Sequence, residues 1–184
     1  TSAYCTFANK GVRIDPIFVT RIEDNQGNVL ATFTPTTNHV LSHDIAYTMI
    51  TMMQRVVTMG TGRRLIYEFG FDDVEIAAKT GTTNDNIDAW FMAAVPNLVM
   101  GCWVGGEENN IHFSHSADGS RIALPITGKF LKKVFNDGTL GVSRSDRFER
   151  SENPPKYNCE SNMEEQTEES LLPSGEFIFD DFED

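Results

Sequence analysis

Two apolar runs separated by a two-residue turn signal place the strongest constraint on the fold of this chain. Residues 89–95 and 98–104 are each the length of a strand, and Pro96 and Asn97 lie between them. Proline and asparagine are typical turn residues, and so short a connection makes the flanking strands pair antiparallel. The sequence therefore predicts an antiparallel β-hairpin over residues 89–104.

Hydrophobic periodicity predicts the elements around this hairpin. A third strand is expected at residues 74–83, and residues 17–22 and 29–33 form a further pair of strands joined by a polar segment with a glycine. Apolar residues recur at helical spacing in three segments, residues 2–11, 43–59 and 124–135. The order of helix, hairpin, helix, three strands and helix predicts an α+β fold rather than a βαβ alternation.

Acidic residues concentrate at the end of the chain. The whole chain has 27 acidic and 15 basic residues, and eleven of the acids but only one base lie beyond residue 150. We therefore expect a nearly neutral domain at residues 1–139 and an acidic, largely disordered tail at residues 140–184. A near-neutral domain lacks the basic face that phosphate neutralisation needs, so the sequence argues against nucleic-acid binding.

The longest uninterrupted apolar run, residues 89–95, is far shorter than the roughly 18 residues of a membrane-spanning helix. The chain opens on Thr1 without a signal-like segment. We therefore expect the interior of a longer protein, with any membrane anchor in the missing N-terminal part.

Cysteine and histidine positions give no sign of a metal site. Cys5, Cys102 and Cys159 are an odd number at long spacings, which fits neither a disulfide framework nor zinc ligation. His112 and His115 lie close together in the sequence, but no second cluster completes a ligand set. We expect no metal.

Lysine, hydroxyl and glycine residues meet at the end of the third predicted strand, at Lys79, Thr80, Gly81 and Thr82. An ammonium group attracts a carboxylate or a developing oxyanion, and neighbouring hydroxyls can donate hydrogen bonds to the same anion. A glycine leaves the strand edge open to a ligand backbone. These four residues alone favour an anion site about as much as an exposed edge-strand lysine that only discourages aggregation.

The surroundings of this tetrapeptide favour the anion site. Residues 79–85, Lys-Thr-Gly-Thr-Thr-Asn-Asp, followed by Asp-Ala-Trp-Phe at 88–91, resemble the third active-site motif of class A penicillin-binding proteins, the bifunctional peptidoglycan glycosyltransferases and transpeptidases. Further matching segments follow the family's order, at residues 3–11, 40–47, 60–62 and 103–105. The resemblance covers residues 1–136.

This resemblance implies the penicillin-binding fold, an antiparallel sheet flanked by helices, with Lys79 on an inner strand and the last helix packed across the sheet. The parent enzyme would be a serine D,D-transpeptidase that cross-links peptidoglycan stem peptides ending in D-Ala-D-Ala and binds β-lactam antibiotics, without metal or organic cofactor. Lys79 would supply positive potential, and Thr82 an oxyanion-hole N–H, as the catalytic residues. The substrate-binding residues that the resemblance implies are Thr80, Gly81, Thr82, Thr83 and Asn84. For Thr83, Asn84 and Asp85, a turn out of the strand is as good an interpretation as direct contact with the substrate.

Two other motifs of that family are missing or misplaced. None of the six lysines has a serine three residues before it, so the Ser-x-x-Lys motif that carries the nucleophile is absent from the sequence. The one Ser-x-Asn match, residues 151–153, follows the Lys-Thr-Gly motif instead of preceding it. We therefore expect the C-terminal part of a transpeptidase domain, inactive by itself. The parent would be held at the cell membrane with its catalytic domain on the extracytoplasmic side.

Two other kinds of protein stay open. One alternative is a non-catalytic module that binds cell-wall peptides or recruits a partner through the acidic tail. The other is a piece of a serine β-lactamase, which shares the Lys-Thr-Gly strand but fits the context at residues 84–91 less well. An upstream reading frame that encodes Ser-x-x-Lys and then Ser-x-Asn would favour the transpeptidase.

Overall fold

The computed structural model describes residues 1–83, 87–106, 113 and 118–153, and every structural statement below concerns these residues. They form, in chain order, α1 (Ser2–Ala8), β1 (Val12–Ile14), β2 (Arg21–Glu23), β3 (Val29–Thr32), β4 (Thr37–His39), α2 (His43–Thr58), α3 (Arg64–Tyr67), β5 (Ala77–Thr82), β6 (Asp88–Val95), β7 (Leu98–Gly105) and α4 (Ala123–Asn136). The antiparallel strands and the helices around them confirm the expected α+β class.

Strands β5, β6 and β7 form the central sheet in that order, with antiparallel pairing throughout. Val95 lies opposite Leu98 where Pro96 and Asn97 make the turn, so the predicted hairpin is confirmed. Among the described strands β5 borders only β6, which places Lys79 on an edge strand. The expected inner position of this strand concerns the whole domain and stays a prediction, because no described segment pairs with its other edge.

The N-terminus of α2 is capped by the side chain of Ser42. The Ile45 N–H donates to the Ser42 hydroxyl at 3.3 Å and so satisfies one of the unpaired donors of the first turn. Asp44 adds a negative charge beside the positive end of the helix dipole. The apolar residues that this helix buries recur at helical spacing: Ala46, Ile50, Met53 and Val57. The helix predicted over residues 43–59 is confirmed.

Both faces of the central sheet pack against helices. On one face, Phe91 belongs to the same core as Leu65 of α3 and Leu131 of α4, and all three side chains are fully buried. On the other face, Ala94 packs with Ile50 of α2 and with residues of α1. Burying one such large apolar side chain contributes about 1.5–3 kcal/mol, so these two cores hold the sheet in place. Helix α4 packs against β6 and β7 of the sheet, which agrees with the packing that the resemblance implies.

Two small sheets precede α2, with β1 paired to β4 and β2 paired to β3. The second pair is the hairpin predicted at residues 17–22 and 29–33, but its strands are shorter. Its connection is closed by Asp24, whose Oδ1 accepts the N–H groups of Gln26 and Asn28, each at 2.8 Å. Hydrogen bonds from Asn28 in particular hold the pKa of Asp24 below its ordinary value. Strands β1 and β4 were not predicted, because three residues are too few to show a period of two.

Residues 140–153, which the sequence assigns to the acidic tail, pack against the domain. The Arg144 guanidinium carbon lies 5.4 Å from the ring centroid of Phe71, and Arg144 forms an ion pair with Asp73. Phe148 is only 6% exposed and belongs to the core between the sheet and α2. The packed chain thus extends past the boundary expected at residue 139, because two anchoring side chains outweigh the polar composition of the segment. The tail from residue 154 onward lies outside the described residues.

Candidate active site

Strand β5 runs from the core to the surface. Ala77 and Ala78 at its start are buried, one in each core, whereas Lys79 and Thr82 are exposed. The ladder to β6 continues along the whole strand and pairs Lys79 with Met92 at one end of the predicted motif. A buried start and a continuous ladder therefore hold the exposed end of the strand in a defined position.

The ammonium group of Lys79 stays beside the strand that carries it. Its Nζ donates to the Thr80 carbonyl oxygen at 2.8 Å. An ammonium group has three donors, so this bond leaves two for a further acceptor. Because the side chain is exposed, a ligand carboxylate can approach it from solvent.

The Thr80 side chain meets the loop that follows α2. The hydroxyl oxygens of Thr80 and Thr61 lie 3.0 Å apart. Glycines at 60 and 62 flank Thr61, and a Cβ on Gly60 or Gly62 would lie 2.9 or 3.1 Å from the Val56 carbonyl oxygen. The loop can therefore fold tightly against the end of α2 and present Thr61 to the strand. In the sequence, residues 60–62 matched the family only by their order along the chain.

The Thr82 hydroxyl receives a hydrogen bond from the segment before α4. The Gly119 N–H donates to Thr82 Oγ1 at 3.3 Å. A Cβ at residue 119 would lie 2.1 Å from the Trp90 carbonyl oxygen and 2.8 Å from that of Gly81, so the close approach requires glycine. A hydroxyl that accepts one N–H keeps its own proton for donation. Thr82 can thus donate an O–H to an anion on its exposed side.

Arg64 joins α3 to the same segment before α4. Its guanidinium forms two hydrogen bonds with the Glu68 carboxylate, both at 2.8 Å, and a third, at 2.9 Å, with the Ser120 carbonyl oxygen. Hydrogen bonding to Glu68 raises the pKa of Arg64 further above its ordinary value. Through its contact with Ser120, the Arg64 side chain therefore holds the segment next to Gly119.

Thr83 joins the end of β5 to the start of β6 through hydrogen bonds with Asp88. Its N–H donates to the Asp88 carbonyl oxygen at 3.2 Å, and its hydroxyl accepts the Asp88 N–H at 2.8 Å. The same hydroxyl donates to Asp88 Oδ2 at 3.3 Å. These contacts agree with Thr83 as part of the turn out of the strand. Asn84, the remaining predicted site residue, lies outside the described residues.

An open groove of about 290 Å³ runs along β5. Its lining residues are Tyr4, Lys79, Thr80, Gly81, Thr82, Thr83, Trp90 and Met92. A Cβ on Gly81 would lie 3.0 Å from the Trp90 Cβ, closer than ordinary contact, so a side chain there would disturb the floor of the groove. The structure therefore brings the five described site residues together and adds Tyr4, Trp90 and Met92. Tyr4 and Trp90 belong to segments that carried the resemblance, although neither was predicted as a site residue.

The formal Ser-x-Asn match has a different position. The Ser151 hydroxyl donates to the Asp44 carboxylate at the start of α2, and Ser151 is not among the residues that line the groove. It holds the segment after α4 against α2.

The described residues contain neither a metal-binding cluster nor a helix that could span a membrane. These residues include no group of three or more His, Cys, Asp or Glu side chains placed to bind a metal ion. His112 and His115 lie outside them. None of the described helices is both long and apolar enough to cross a bilayer.

Comparisons with known proteins identify the family. Residues 1–132 match the penicillin binding protein transpeptidase domain. The chain is 39% identical to penicillin-binding protein 1A of Aquifex aeolicus over 134 residues, which are 73% of this chain and 18% of the relative. It is 34% identical to penicillin-binding protein 1B of Haemophilus influenzae over 134 residues, which are 73% of this chain and 16% of the relative. The chain thus spans less than a fifth of the length of these curated relatives.

Solved structures show the same fold. Penicillin-binding protein 1A from Haemophilus influenzae aligns with a TM-score of 0.67 at 22% identity, over 84% of this chain and 27% of that one. Penicillin-binding protein A from M. tuberculosis, solved as an imipenem acyl-enzyme complex, aligns with a TM-score of 0.54 at 22% identity, over 71% of this chain and 29% of that one. The chain belongs to the family of penicillin-binding protein transpeptidase domains.

Proposed function

We propose that this chain is the C-terminal part of the transpeptidase domain of a class A penicillin-binding protein, and that it supplies the anion-binding strand of a serine D,D-transpeptidase. The observation that carries the proposal is the end of β5, where Lys79, Thr80 and Thr82 line one open groove and each hydroxyl is held by another element. The small share of its relatives that the chain spans supports a parent that is much longer. The serine nucleophile and the Ser-x-Asn loop would come from that remaining part.

The parent's reaction is an acyl transfer in two steps. The serine oxygen attacks the penultimate D-alanine carbonyl of a stem peptide, the peptide C–N bond breaks, and the terminal D-alanine leaves with a proton on its nitrogen. An amine of a second stem peptide then attacks the ester, which forms the cross-link and returns the serine. A β-lactam follows the first step alone, and the acyl-enzyme complex of the M. tuberculosis relative is an example of its product.

The residues of β5 suit the anionic groups in this reaction. The ammonium of Lys79 and the free O–H of Thr82 would bind the terminal carboxylate of the stem peptide or of a β-lactam. The Thr82 N–H would donate to the oxyanion that forms when the carbonyl is attacked. Thr80, Gly81, Thr83 and Asn84 would shape the substrate side of the strand.

We also propose on which side of the cell membrane the parent enzyme acts. Its substrate, the D-Ala-D-Ala end of peptidoglycan, lies outside the cytoplasm, so the domain would act on the extracytoplasmic side of the cell membrane. The anchor would belong to the part of the parent that precedes this chain.

Labelling with a fluorescent penicillin tests the proposal. The longer protein that carries this chain should be labelled on its serine, and the 184-residue chain alone should not. Lys79→Ala in the longer protein should abolish labelling, because the charge that attracts the carboxylate is lost. Lys133→Ala removes an equal charge from the last turn of α4 and should label like wild type. Labelling of the chain alone, or wild-type labelling of Lys79→Ala, would contradict the proposal.

A further inference from the structure

A hydrogen-bonded cluster at one end of the central sheet joins all three of its strands through Asp88. The Asp88 carboxylate accepts the Trp103 indole N–H of β7 at Oδ1, at 2.8 Å, and the Thr83 hydroxyl at Oδ2, at 3.3 Å. Asp88 is itself the first residue of β6, and Thr83 directly follows β5. The end of the anion-binding strand is therefore tied to the far strand of the described sheet.

The bonds between Thr83 and Asp88 fix the direction of the Thr83 hydroxyl. Its oxygen accepts the Asp88 N–H at 2.8 Å while its proton is directed to the Asp88 carboxylate. The Thr83 N–H also donates to the Asp88 carbonyl oxygen. Three contacts to one residue hold Thr83, and because Thr83 follows Thr82 directly, they limit how far the Thr82 backbone can turn.

Trp103 is held in the orientation that reaches Asp88. Residue 105 lies opposite Asp88 in the ladder, and a Cβ on Gly105 would lie 2.6 Å from Trp103 Cζ2. The missing side chain at Gly105 thus lets the indole lie along the strand toward the carboxylate. Trp90, the cross-strand neighbour of Trp103, packs beside it with ring centroids 6.4 Å apart. The indole donor is positioned by packing as well as by its hydrogen bond.

The cluster requires a carboxylate and not merely a polar side chain. An ionised aspartate accepts at both oxygens, so it can serve the indole N–H and the hydroxyl proton together. An asparagine at residue 88 would present one oxygen and one NH₂ group, and the NH₂ group cannot accept the proton from Thr83. Asp88→Asn would therefore keep the shape of the side chain but lose one of the two contacts.

We infer that Asp88 is a positioning residue for the acylation reaction, acting through Thr83 to hold the end of β5 so that Thr82 faces the substrate. The inference rests on the proposed function of β5. Asp88 acts on the strand and not on the substrate, so its removal should slow acylation without removing the charge that binds the carboxylate. A displacement of catalytic groups by about 1 Å can lower a rate about 100-fold, so we expect a smaller shift of the strand end to lower it about tenfold.

The test uses the longer protein and measures the rate of acylation by a fluorescent penicillin. Asp88→Asn and Trp103→Phe should each lower that rate about tenfold, because each removes one contact of the cluster and keeps most of the packing. Thr83→Val should do the same. Thr83→Ser, which restores the hydroxyl, should recover most of the rate.

A matched control lies at the opposite end of the β6–β7 hairpin. Asp146 accepts a hydrogen bond from Asn97 in the turn at 2.9 Å and from the Ser143 N–H at 2.8 Å. Asp146→Asn makes the same change of charge and disturbs the same hairpin, so it should acylate at the wild-type rate. Equal losses in Asp88→Asn and Asp146→Asn would show that general destabilisation, and not positioning, is responsible.

The outcomes separate this inference from the proposed function. If the wild-type longer protein is not labelled, the proposed function fails and the inference fails with it. If the wild type is labelled and Asp88→Asn acylates at the same rate, only the inference is overturned. If Asp88→Asn does not fold, the Thr83 pair decides, because equal rates for Thr83→Val and Thr83→Ser would overturn the role of the hydroxyl.

Discussion

The hydroxyl oxygens of Thr61 and Thr80 lie 3.0 Å apart and join the loop after α2 to the strand that carries Lys79. Gly119 approaches the same strand from the segment before α4, and its N–H donates to Thr82. Each hydroxyl of the strand is thus held by a different element. The geometry of the anion-binding groups therefore depends on packing around the sheet as well as on the ladder within it.

A double-mutant cycle measures the contact between Thr61 and Thr80. Each valine substitution should lower the free energy of unfolding by about 0.5–1 kcal/mol, because one hydrogen bond is lost. The double variant should lose less free energy of unfolding than the two single variants added together, because both changes remove the same bond. Urea unfolding of the four proteins gives the coupling. Thr58→Val is the control, since the Thr58 hydroxyl bonds only within α2 in the contacts described, and its effect should add to that of Thr80→Val.

Replacing Gly119 with alanine should strongly destabilise the domain. The new Cβ would overlap the carbonyl oxygens of Trp90 and Gly81, and backbone atoms in a ladder cannot move aside as a flexible side chain would. We expect a loss of about 3 kcal/mol, at the upper end of the usual cost of overpacking. Gly138→Ala is the matched control, because nothing lies within 4 Å of a Cβ there, and it should change stability by less than about 0.5 kcal/mol. Similar unfolding midpoints for the two variants would contradict the packing described at Gly119.

Much of the fold follows from local signals in the sequence. The Pro96-Asn97 turn and the helical spacing of apolar residues over residues 43–59 are short-range features, and each element that they predict is present. Strands β1 and β4, of three residues each, and the one-turn helix α3 escaped prediction, because segments of three or four residues show no period.

The candidate site was predictable only in part. Residues 79–83 form a contiguous motif, so their chemistry is visible in the sequence. Gly119 gave no signal, because its role is a backbone approach to Thr82 from 37 positions away. The burial of Phe148 was likewise not predicted, because Phe148 lies in a polar segment and its partners on α1 and α2 are remote in sequence. Long-range contacts of this kind are fixed by packing, which a single sequence does not display.

Two phenylalanines test whether residues 140–153 belong to the folded domain. Phe148 is 6% exposed and its N–H donates to Glu75 Oε2 at 2.8 Å, whereas Phe18 is 98% exposed. Phe148→Ala should lower the free energy of unfolding by about 3 kcal/mol, because a buried aromatic ring is removed from the core. Phe18→Ala should change it by less than about 0.5 kcal/mol. Equal urea midpoints for the two variants would place Phe148 outside the core.

The ion pair between Asp73 and Arg144 predicts how stability responds to acid. Hydrogen bonding from Arg144 holds the pKa of Asp73 below its ordinary value. A carboxyl group whose pKa is lower in the folded than in the unfolded state stabilises the fold above the unfolded pKa, about 3.9, and this contribution is lost as the pH falls through the folded pKa. Asp73→Asn should therefore lower the melting temperature at pH 7, and the difference from wild type should shrink as the pH falls below 4. Thermal unfolding followed by circular dichroism at a series of pH values measures both. Asp72→Asn makes the same charge change one residue away and should keep most of the wild-type dependence, whereas a pH-independent effect of Asp73→Asn would contradict a role for the ion pair.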